Sequence, residues 1–372
     1  MDIELGPDET LLREAARRYV EREYGFEARS RRIGEPEGFC RRTWQEMADL
    51  GLVAAGMPAD AGGLGAGALG TMIVAEAMGS VLAVEPFLAT AVLGSSALEL
   101  GGSETQRALL PEVAVGRRLL AFAHVEESEG IATAARADGD GFCLDGTKLV
   151  VLHAASADLL VVTARLPGEG REPPVALFLV PRDAPGVGLA RYRTPDGFPA
   201  ADMELRSVRV DAGARLGAAQ DGTLLLERIL DRANAALCAE AVGGMDAMLR
   251  RTIAYLGSRQ QFGVPLARFQ ALQHRAADMA MELEQARSMM LVAALHADAA
   301  DAGVRRRQVS AAKARVARAA RFVGEQAVQL HGGIGMTDAL DVSHYFRRLT
   351  VIAQSFGDET AHLERYLAAS GR

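Results

Sequence analysis

Residues 258–279 read SRQQFGVPLARFQALQHRAADM. A fixed cation, two amides and a Phe-Gly pair stand before Pro265, and a run with helical spacing follows. Upstream, TLLLERILDRANAALCAEAVGGMDAMLRRTIAYLG (223–257) keeps apolar residues at helical intervals throughout. Pro265 belongs near the start of the next helix, where its missing N–H costs nothing. A polar elbow between two long helices predicts antiparallel neighbours in a bundle. VRRRQVSAAKARVARAARFVGEQAVQLHGG (304–333) supplies a third long helix and ETAHLERYLAA (359–369) a short last one. Residues 217–372 are therefore expected to form a four-helix-type domain.

Outward from the bundle the period changes. LLAFAHVEE (119–127), GFCLDGTKLVVLHAA (141–155), ADLLVVTARL (157–166), VALFLVPRD (175–183) and ADMELRSVRVD (201–211) are short runs rich in Val and Leu. Gly, Pro and Asp punctuate them, and DGDGFCLDGTK (138–148) carries Asp-Gly pairs of hairpin type. Residues 119–216 read as a middle antiparallel β-domain.

Residues 1–118 read as helical. Pro7-Asp8-Glu9-Thr10 is a start signal, and RRTWQEMADLGLVAAGMP (41–58) is a helix ending near Gly51. TMIVAEAMGSVLAVEPFLATAVLGSSALELGG (71–102) holds two apolar helices broken at Glu85-Pro86. The glycine-rich ADAGGLGAGALG (59–70) lacks the Lys-Ser/Thr ending of a phosphate loop, and no strand leads into it, so it is expected to be a flexible helix connection. The fold class is α+β: an N-terminal helical domain, a middle antiparallel β-domain and a C-terminal helical bundle.

Composition narrows the function. At 372 residues, with 49% hydrophobic and 24% charged, the chain has enough apolar material for more than one packed core. A net charge of -7 argues against nucleic acid as a main partner. Cys40, Cys143 and Cys238 are odd in number and widely spaced, which gives neither a disulfide framework nor a metal pattern. The charged N-terminus has no apolar signal core, and no run is long enough for membrane insertion; a cytoplasmic protein is expected.

Arg259 is a fixed cation suited to a phosphate, although taken alone it reads as a surface Arg at a helix end. A second stretch, QAVQLHGGIGMTDALDVSHYFRRL (326–349), places Gly332, Gly333 and Gly335 at the end of a helix. One glycine suffices for a helix cap, and three let a backbone come close to something else. The two motifs together point to a large phosphorylated cofactor.

With RQQFGVPLARFQALQHRAADM and QAVQLHGGIGMT, with DLGLVAAGMPADAGGLG, EAMGSVLAVEP and LDGTKLVVLHAASADLLVVTAR, and with its α–β–α order, the chain resembles the acyl-CoA dehydrogenase family over nearly its whole length. Within that family it is most similar to the small subunits of pimeloyl-CoA dehydrogenases. The resemblance implies FAD, bound across a subunit boundary by Arg259, Phe262, Phe269, Gln270, Gln329, His331, Gly332 and Gly333. It implies α,β-desaturation of an acyl-CoA, with a Glu taking the α-proton, and an electron-transfer flavoprotein as electron acceptor. It also implies an oligomer, either homomeric or with an unlike subunit.

The chain departs from the family's pattern at three places. The base position, before Gly357, falls at Phe356, and Asp358 stands where a Thr is usual. An alternative base position on the long helix before Arg259 falls near Ala233, with Glu227 and Asp231 on other turns or faces. A flavin-bonding Thr is replaced by Val125, with Glu126 after it. Leu149, Val150 and Val151 follow Lys148 where a Trp-Ile-Thr-like segment packs on the flavin. This pattern implies a subunit without its own base that completes the FAD site of an unlike partner. Two alternatives stand beside it: a homomeric enzyme using Asp358 or Glu359 as base with a raised pKa, and a non-catalytic scaffold of the same fold.

The remaining polar residues have structural readings. His274 and Asp278, four apart, suggest an ion pair or hydrogen bond and no metal site, since a third ligand is not in view. Glu282, Glu284 and Arg287 read as a solvated face, and Arg305, Arg306 and Arg307 as exposed. Met279, Met281, Met289, Met290 and Cys238 read as packing.

Overall fold

The computed structural model describes residues 5–128, 130–167, 174–217 and 222–371. Helix α1 (Pro7–Glu23) opens with Pro in its first turn and Asp8 and Glu9 against the helix dipole. It buries Leu12, Ala16, Tyr19 and Val20. Helices α2 (Phe26–Gly34), α3 (Arg41–Asp49) and α4 (Gly67–Gly79) follow. A π-helical segment (Phe87–Gly94) then runs into α5 (Ser95–Gly101), α6 (Glu104–Arg107) and α7 (Leu110–Ala114).

The strands are β1 (Leu120–Ala123), β2 (Ala134–Asp138), β3 (Gly141–Leu152), β4 (Leu159–Arg165), β5 (Val175–Pro181), β6 (Val187–Arg193), β7 (Pro199–Asp211) and β8 (Arg215–Leu216). The sheet order is β6-β7-β3-β2-β4-β5-β8, with β1 paired to β4. The expectation of an antiparallel sheet needs correcting. β4 runs parallel to both β1 and β2, because the β2–β3 hairpin intervenes before the chain returns beside β1. Two of the three Asp-Gly pairs of 138–148 make the hairpin turn, Asp138-Gly139 and Asp140-Gly141, with Asp138 paired to Gly141. Gly146 lies inside β3 at a register shift, where a Cβ would fall 2.5 Å from Thr133 Oγ1. Alternating residues of β3, β4, β5 and β7, among them Leu144, Leu160, Phe178 and Met203, form the core of this region.

The C-terminal helices are α8 (Gly222–Ser258), α9 (Gln270–His296), α10 (Ala302–His331), α11 (Asp341–Gln354) and α12 (Glu359–Ala369). The two-residue strands β9 (Gln260–Gln261) and β10 (Val264–Pro265) join α8 to α9. Helix α11 was not expected: its apolar face is only Val342, Tyr345, Leu349 and Ile352, short enough to be lost between the glycine turn and the last helix. No helix among the described residues is long and apolar enough to cross a membrane.

By contacts the chain divides into two compact units. One comprises Met1–Ser30, Ala68–Ala83 and Asn234–Arg372, and the other Arg31–Gly67 and Val84–Ala233. In the second unit the glycine-rich loop is tightly held, contrary to the flexible connection expected. Gly63 N–H donates to Pro58 O, Leu64 N–H to Ala54 O and Gly65 N–H to Met57 O. A Cβ on Gly63 would sit 2.1 Å from Met57 O, so close backbone packing explains that glycine.

In the first unit, α4 and α8 cross backbone to backbone. A Cβ on Gly79 would lie 2.0 Å from Glu240 O, and one on Gly243 would lie 1.9 Å from Glu76 O. The side chains of those two glutamates are both tied down. Glu76 accepts from Arg287 at 2.6 Å, and Glu240 accepts two bonds from Arg348 at 2.6 and 2.8 Å. The expected solvated face at Glu282, Glu284 and Arg287 is thus partly interhelical: Arg287 also reaches Asp246 and Glu282 pairs with Arg315, whereas Glu284 is exposed and meets Arg287 along the same helix. Arg305 is buried and donates to Ala299 O, and Arg307 donates to Ala369 O, so the run at 305–307 is not simply exposed. Met279 and Met290 are core, whereas Met281 faces out.

Gly243→Ala is expected to destabilise the protein by about 1–3 kcal/mol, because the new methyl must force two helices apart. Gly257→Ala, on the same helix where a Cβ meets nothing, should stabilise by up to about 1 kcal/mol. Urea midpoints at an unchanged m-value would read both.

Candidate functional site

The elbow is built by local backbone chemistry. Arg259 N–H still donates to Tyr255 O at 2.8 Å, closing α8. β9 and β10 then pair through Val264↔Gln261 and Pro265↔Gln260. The two residues between them, Phe262 (φ 54°) and Gly263 (φ 82°), both have positive φ, as the tight hairpin turn demands. Gly263 adopts this freely; a bulky aromatic residue does so rarely. Phe262 is 88% exposed and meets Phe269 edge to face at 6.0 Å. Pro265 sits in β10, not at the start of α9. That helix begins at Gln270 with Phe269 as its N-cap residue.

The glycine motif lies within reach of this elbow. α10 ends at His331, where Gly332 takes φ 64° and a short 3₁₀ turn (Gly332–Met336) follows. His331 Nδ1 lies 2.8 Å from Ala327 O, and the ring stacks on Tyr255 at 4.5 Å. Burial holds the His331 pKa below its ordinary value, so the ring is neutral at neutral pH.

Tyr255, Arg259, Arg275, Gln329, Gly332 and Gly333 line one open cleft of about 570 Å³, with His331 in its wall. Of the predicted set, Phe262, Phe269 and Gln270 lie outside that lining. Arg275 was missed, because one Arg on a helix carries no pattern in the sequence; only the fold brings it opposite Gln329. Neither Arg259 nor Arg275 forms an ion pair with a described carboxylate. A Cβ on Gly332 or Gly333 would meet nothing within 4 Å. At Gly333 no described residue requires a glycine, whereas a group lying in the cleft would. Two unopposed guanidiniums, bare backbone and an aromatic pair suit a diphosphate joined to a nucleotide.

A second cluster lies around β3. Lys148 and Glu126 pair at 2.5 Å with side chains 0% and 4% exposed. Lys148 also donates to Thr163 Oγ1 at 2.9 Å. Glu126 accepts from the backbone N–H groups of Ala132 and Thr133, which ties these two residues to the Lys148–Glu126 pair. Burial raises the Glu126 carboxyl, but hydrogen bonding to Lys148 and its charge outweigh this, and the pKa lies below the ordinary value. Burial, aided by Lys148, pushes His124 down to about 4. Beside this cluster Val125 (42%) and Val150 (45%) are exposed, and Val125 O accepts from Leu149 N–H. Val150 holds φ 51°, rare for a β-branched residue, with its N–H on Asp202 Oδ1. Neither valine has a side-chain donor to offer.

The third region is the turn after α11. Phe356 and Gly357 both have positive φ, at 54° and 108°. Lys313, fully buried, donates to Ser355 O at 3.0 Å and Gly357 O at 2.9 Å. Burial brings its pKa down to about 8. His362 Nε2 lies 3.2 Å from Phe356 O. Asp358 caps α12 by accepting from Ala361 N–H at 2.9 Å, and Glu359 opens that helix. Ala233 and Asp231 are buried on α8. His274 and Asp278 are both exposed on α9 and make no ion pair or hydrogen bond with each other. No group of three metal-ligating side chains exists among the described residues. Cys238 is buried, which pushes its thiol up to about 12 and leaves it inert.

Three family models match consecutive parts of the chain. They are the acyl-CoA dehydrogenase N-terminal domain over residues 6–117, the middle domain over 125–209 and the C-terminal domain over 220–369. The chain belongs to the acyl-CoA dehydrogenase family. A variant of the Tcur3481-Tcur3483 steroid ACAD is 31% identical, with a TM-score of 0.90 and 99% of each chain covered. The ChsE4-ChsE5 complex from Mycobacterium tuberculosis is 27% identical, with a TM-score of 0.90, 100% of this chain and 99% of that one covered. A glutaryl-CoA dehydrogenase from Mycobacterium smegmatis, in complex with FADH2, is 25% identical, with a TM-score of 0.87 and 99% and 96% covered. The helical, mixed-sheet and helical parts of this acyl-CoA dehydrogenase family member thus recur end to end in its relatives.

Glu126→Gln leaves a buried ammonium without its carboxylate and is expected to cost about 3–5 kcal/mol. Restoring neutrality with Lys148→Met in the same chain should recover much of that loss in a double-mutant cycle. Because the Glu126 pKa is depressed on folding, its stabilisation is present above the ordinary 4.5 and lost as pH falls through the lower folded value. The acid limb of stability against pH should therefore be shallower in Glu126→Gln than in the parent protein.

Proposed function

We propose that this chain is the subunit lacking a catalytic base in an FAD-dependent acyl-CoA dehydrogenase made of two unlike subunits. One contrast carries the reading: the cleft at Arg259 keeps its cations and open glycine backbone, while Phe356 occupies the position of the family's base. Support also comes from two relatives named as pairs, Tcur3481-Tcur3483 and ChsE4-ChsE5. In this reading residues 1–118, 119–216 and 217–372 act as the three family domains.

Bound FAD supplies the two-electron acceptor for α,β-desaturation of a CoA thioester. Arg259 and Arg275 would offset the diphosphate charge, and Gln329, Gly332 and Gly333 would present amide and backbone groups to the adenylate end. Phe262, Phe269 and Gln270 would shape the elbow against the partner subunit. Val125 and the Leu149–Val151 segment supply apolar surface and no hydroxyl donor, consistent with a degraded flavin pocket of the chain's own. Proton abstraction then falls to the partner's base. An electron-transfer flavoprotein is the expected electron acceptor, and the cytoplasm the expected compartment.

The homomeric alternative requires Asp358 to leave its helix cap, or Glu359 to turn inward, with a raised pKa. Asn caps a helix as well as Asp does, so Asp358→Asn together with Glu359→Gln tests it with the fold intact. Unchanged desaturation by the assembled complex is expected; loss of turnover would favour the homomeric enzyme.

The decisive measurement is flavin content after purification alone and after co-expression with an unlike family member. Bound FAD near one per unlike pair, with little in the chain alone, is the expected result. Yellow, active protein from this chain alone would replace the reading with a homomeric enzyme, and absence of flavin in every preparation would replace it with a scaffold. Arg259→Ala and Arg275→Ala should each weaken FAD retention in the complex by about tenfold, the loss of one charge-assisted contact. A panel spanning pimeloyl-CoA and steroid side-chain CoA thioesters would place the substrate.

A further inference from the structure

A second cavity, of about 430 Å³, opens in the unit that holds the sheet. The functional reading above makes no use of it. Its walls come from residues 36–38, from 153–156 after β3, from Arg182 after β5, and from Arg191 and Arg193 on β6. β6 is an edge strand paired only with β7, and residues two apart on a strand share a face, so Arg191 and Arg193 project together. None of the three guanidiniums forms an ion pair with a described carboxylate. Arg182 donates one bond to Ala155 O at 3.3 Å, yet its Nε is buried with no hydrogen-bond partner among the described residues. The single carboxylate in the lining, Glu37, is already held by both ends of the Arg41 guanidinium at 2.6 and 2.7 Å.

We propose that this cavity binds a small anion bearing a phosphate or diphosphate. Three unopposed cations in one cavity repel one another, and a multiply charged ligand offsets that repulsion. The guanidinium fork matches phosphate oxygens two at a time, and the buried Arg182 Nε is a donor waiting for such an acceptor. On a chain of net charge -7 these arginines form a local positive field that general basicity does not explain. The volume lies within the usual range of small-molecule sites, roughly 300–1,000 Å³. Beyond the phosphate there is room for an organic body against Pro36 and Pro199.

The test uses the full chain carrying Arg259→Ala and Arg275→Ala, which silences the other basic cleft. Binding of inorganic pyrophosphate, ADP and CoA is measured by equilibrium dialysis at constant ionic strength. The same titrations are run on Arg182→Gln and on the double variant Arg191→Gln/Arg193→Gln. Saturable binding of at least one probe, weakened about tenfold by each variant, is the expected result. ADP binding at least as tightly as CoA assigns the site to a free nucleotide, and CoA binding more tightly assigns it to a CoA tail. No saturable binding, or binding unchanged in the double variant, overturns the proposal. So does preference for polyglutamate over all three probes, which would make this face a docking surface for acidic protein. Arg191 and Arg193 are exposed, so the double variant decides the matter even if Arg182→Gln fails to fold.

Discussion

Two helices meet backbone to backbone at Gly79 and Gly243, and much of the first unit is arranged around that contact. The close approach leaves Glu76 and Glu240 next to the crossing, where their carboxylates need partners. Arg287 of α9 and Arg348 of α11 supply them, so one crossing recruits two further helices. Tyr345 adds a bond from α11 to Ser80 O just past the end of α4. Side chains larger than hydrogen at either glycine would move all four helices together.

Buried cations recur in this protein, and each organises a segment that has little apolar surface of its own. Lys148 holds Glu126, and through it Ala132 and Thr133, against the sheet. Lys313 gathers the carbonyls left open at the end of α11 and in the following turn. The net stabilisation from such buried groups is small, because desolvation offsets the attraction. Their effect is to make one loop geometry much better than its neighbours. That suits two irregular backbone sites, the register shift of β3 at Val150 and the turn at Phe356, which hold bulky residues at positive φ.

The cleft beside α10 works by the opposite device. Among the described residues no carboxylate pairs with Arg259 or Arg275, and no residue comes within 4 Å of a Cβ built on Gly333. In the proposed assembly, a dinucleotide completes this surface. The absence of a titratable side chain at Phe356 makes the same point about chemistry: in the proposed assembly this chain contributes binding and shape, and its partner the proton transfer.

Much of the order of elements was legible from periodicity. The α8 and α10 segments keep apolar residues at helical intervals over many turns, and the strands β4 and β5 are continuous apolar runs, so local pattern and tertiary burial agree. The glycines of 332–335 and the Phe-Gly of the elbow were legible for a related reason: backbone shape at a turn depends on which residues tolerate positive φ. What the sequence could not show were relations between distant residues. The parallel pairing of β4 with β1 and β2, the joining of Arg275 to Arg259, and the capture of Arg287 by Glu76 depend on which elements become neighbours. So does the meaning of Gly63, which looks like flexibility in the sequence, and of Gly243 inside its helix; both are close packing in the fold. Local backbone preference and side-chain periodicity are written along the chain, whereas contacts and charge compensation exist only once distant segments are brought together in space.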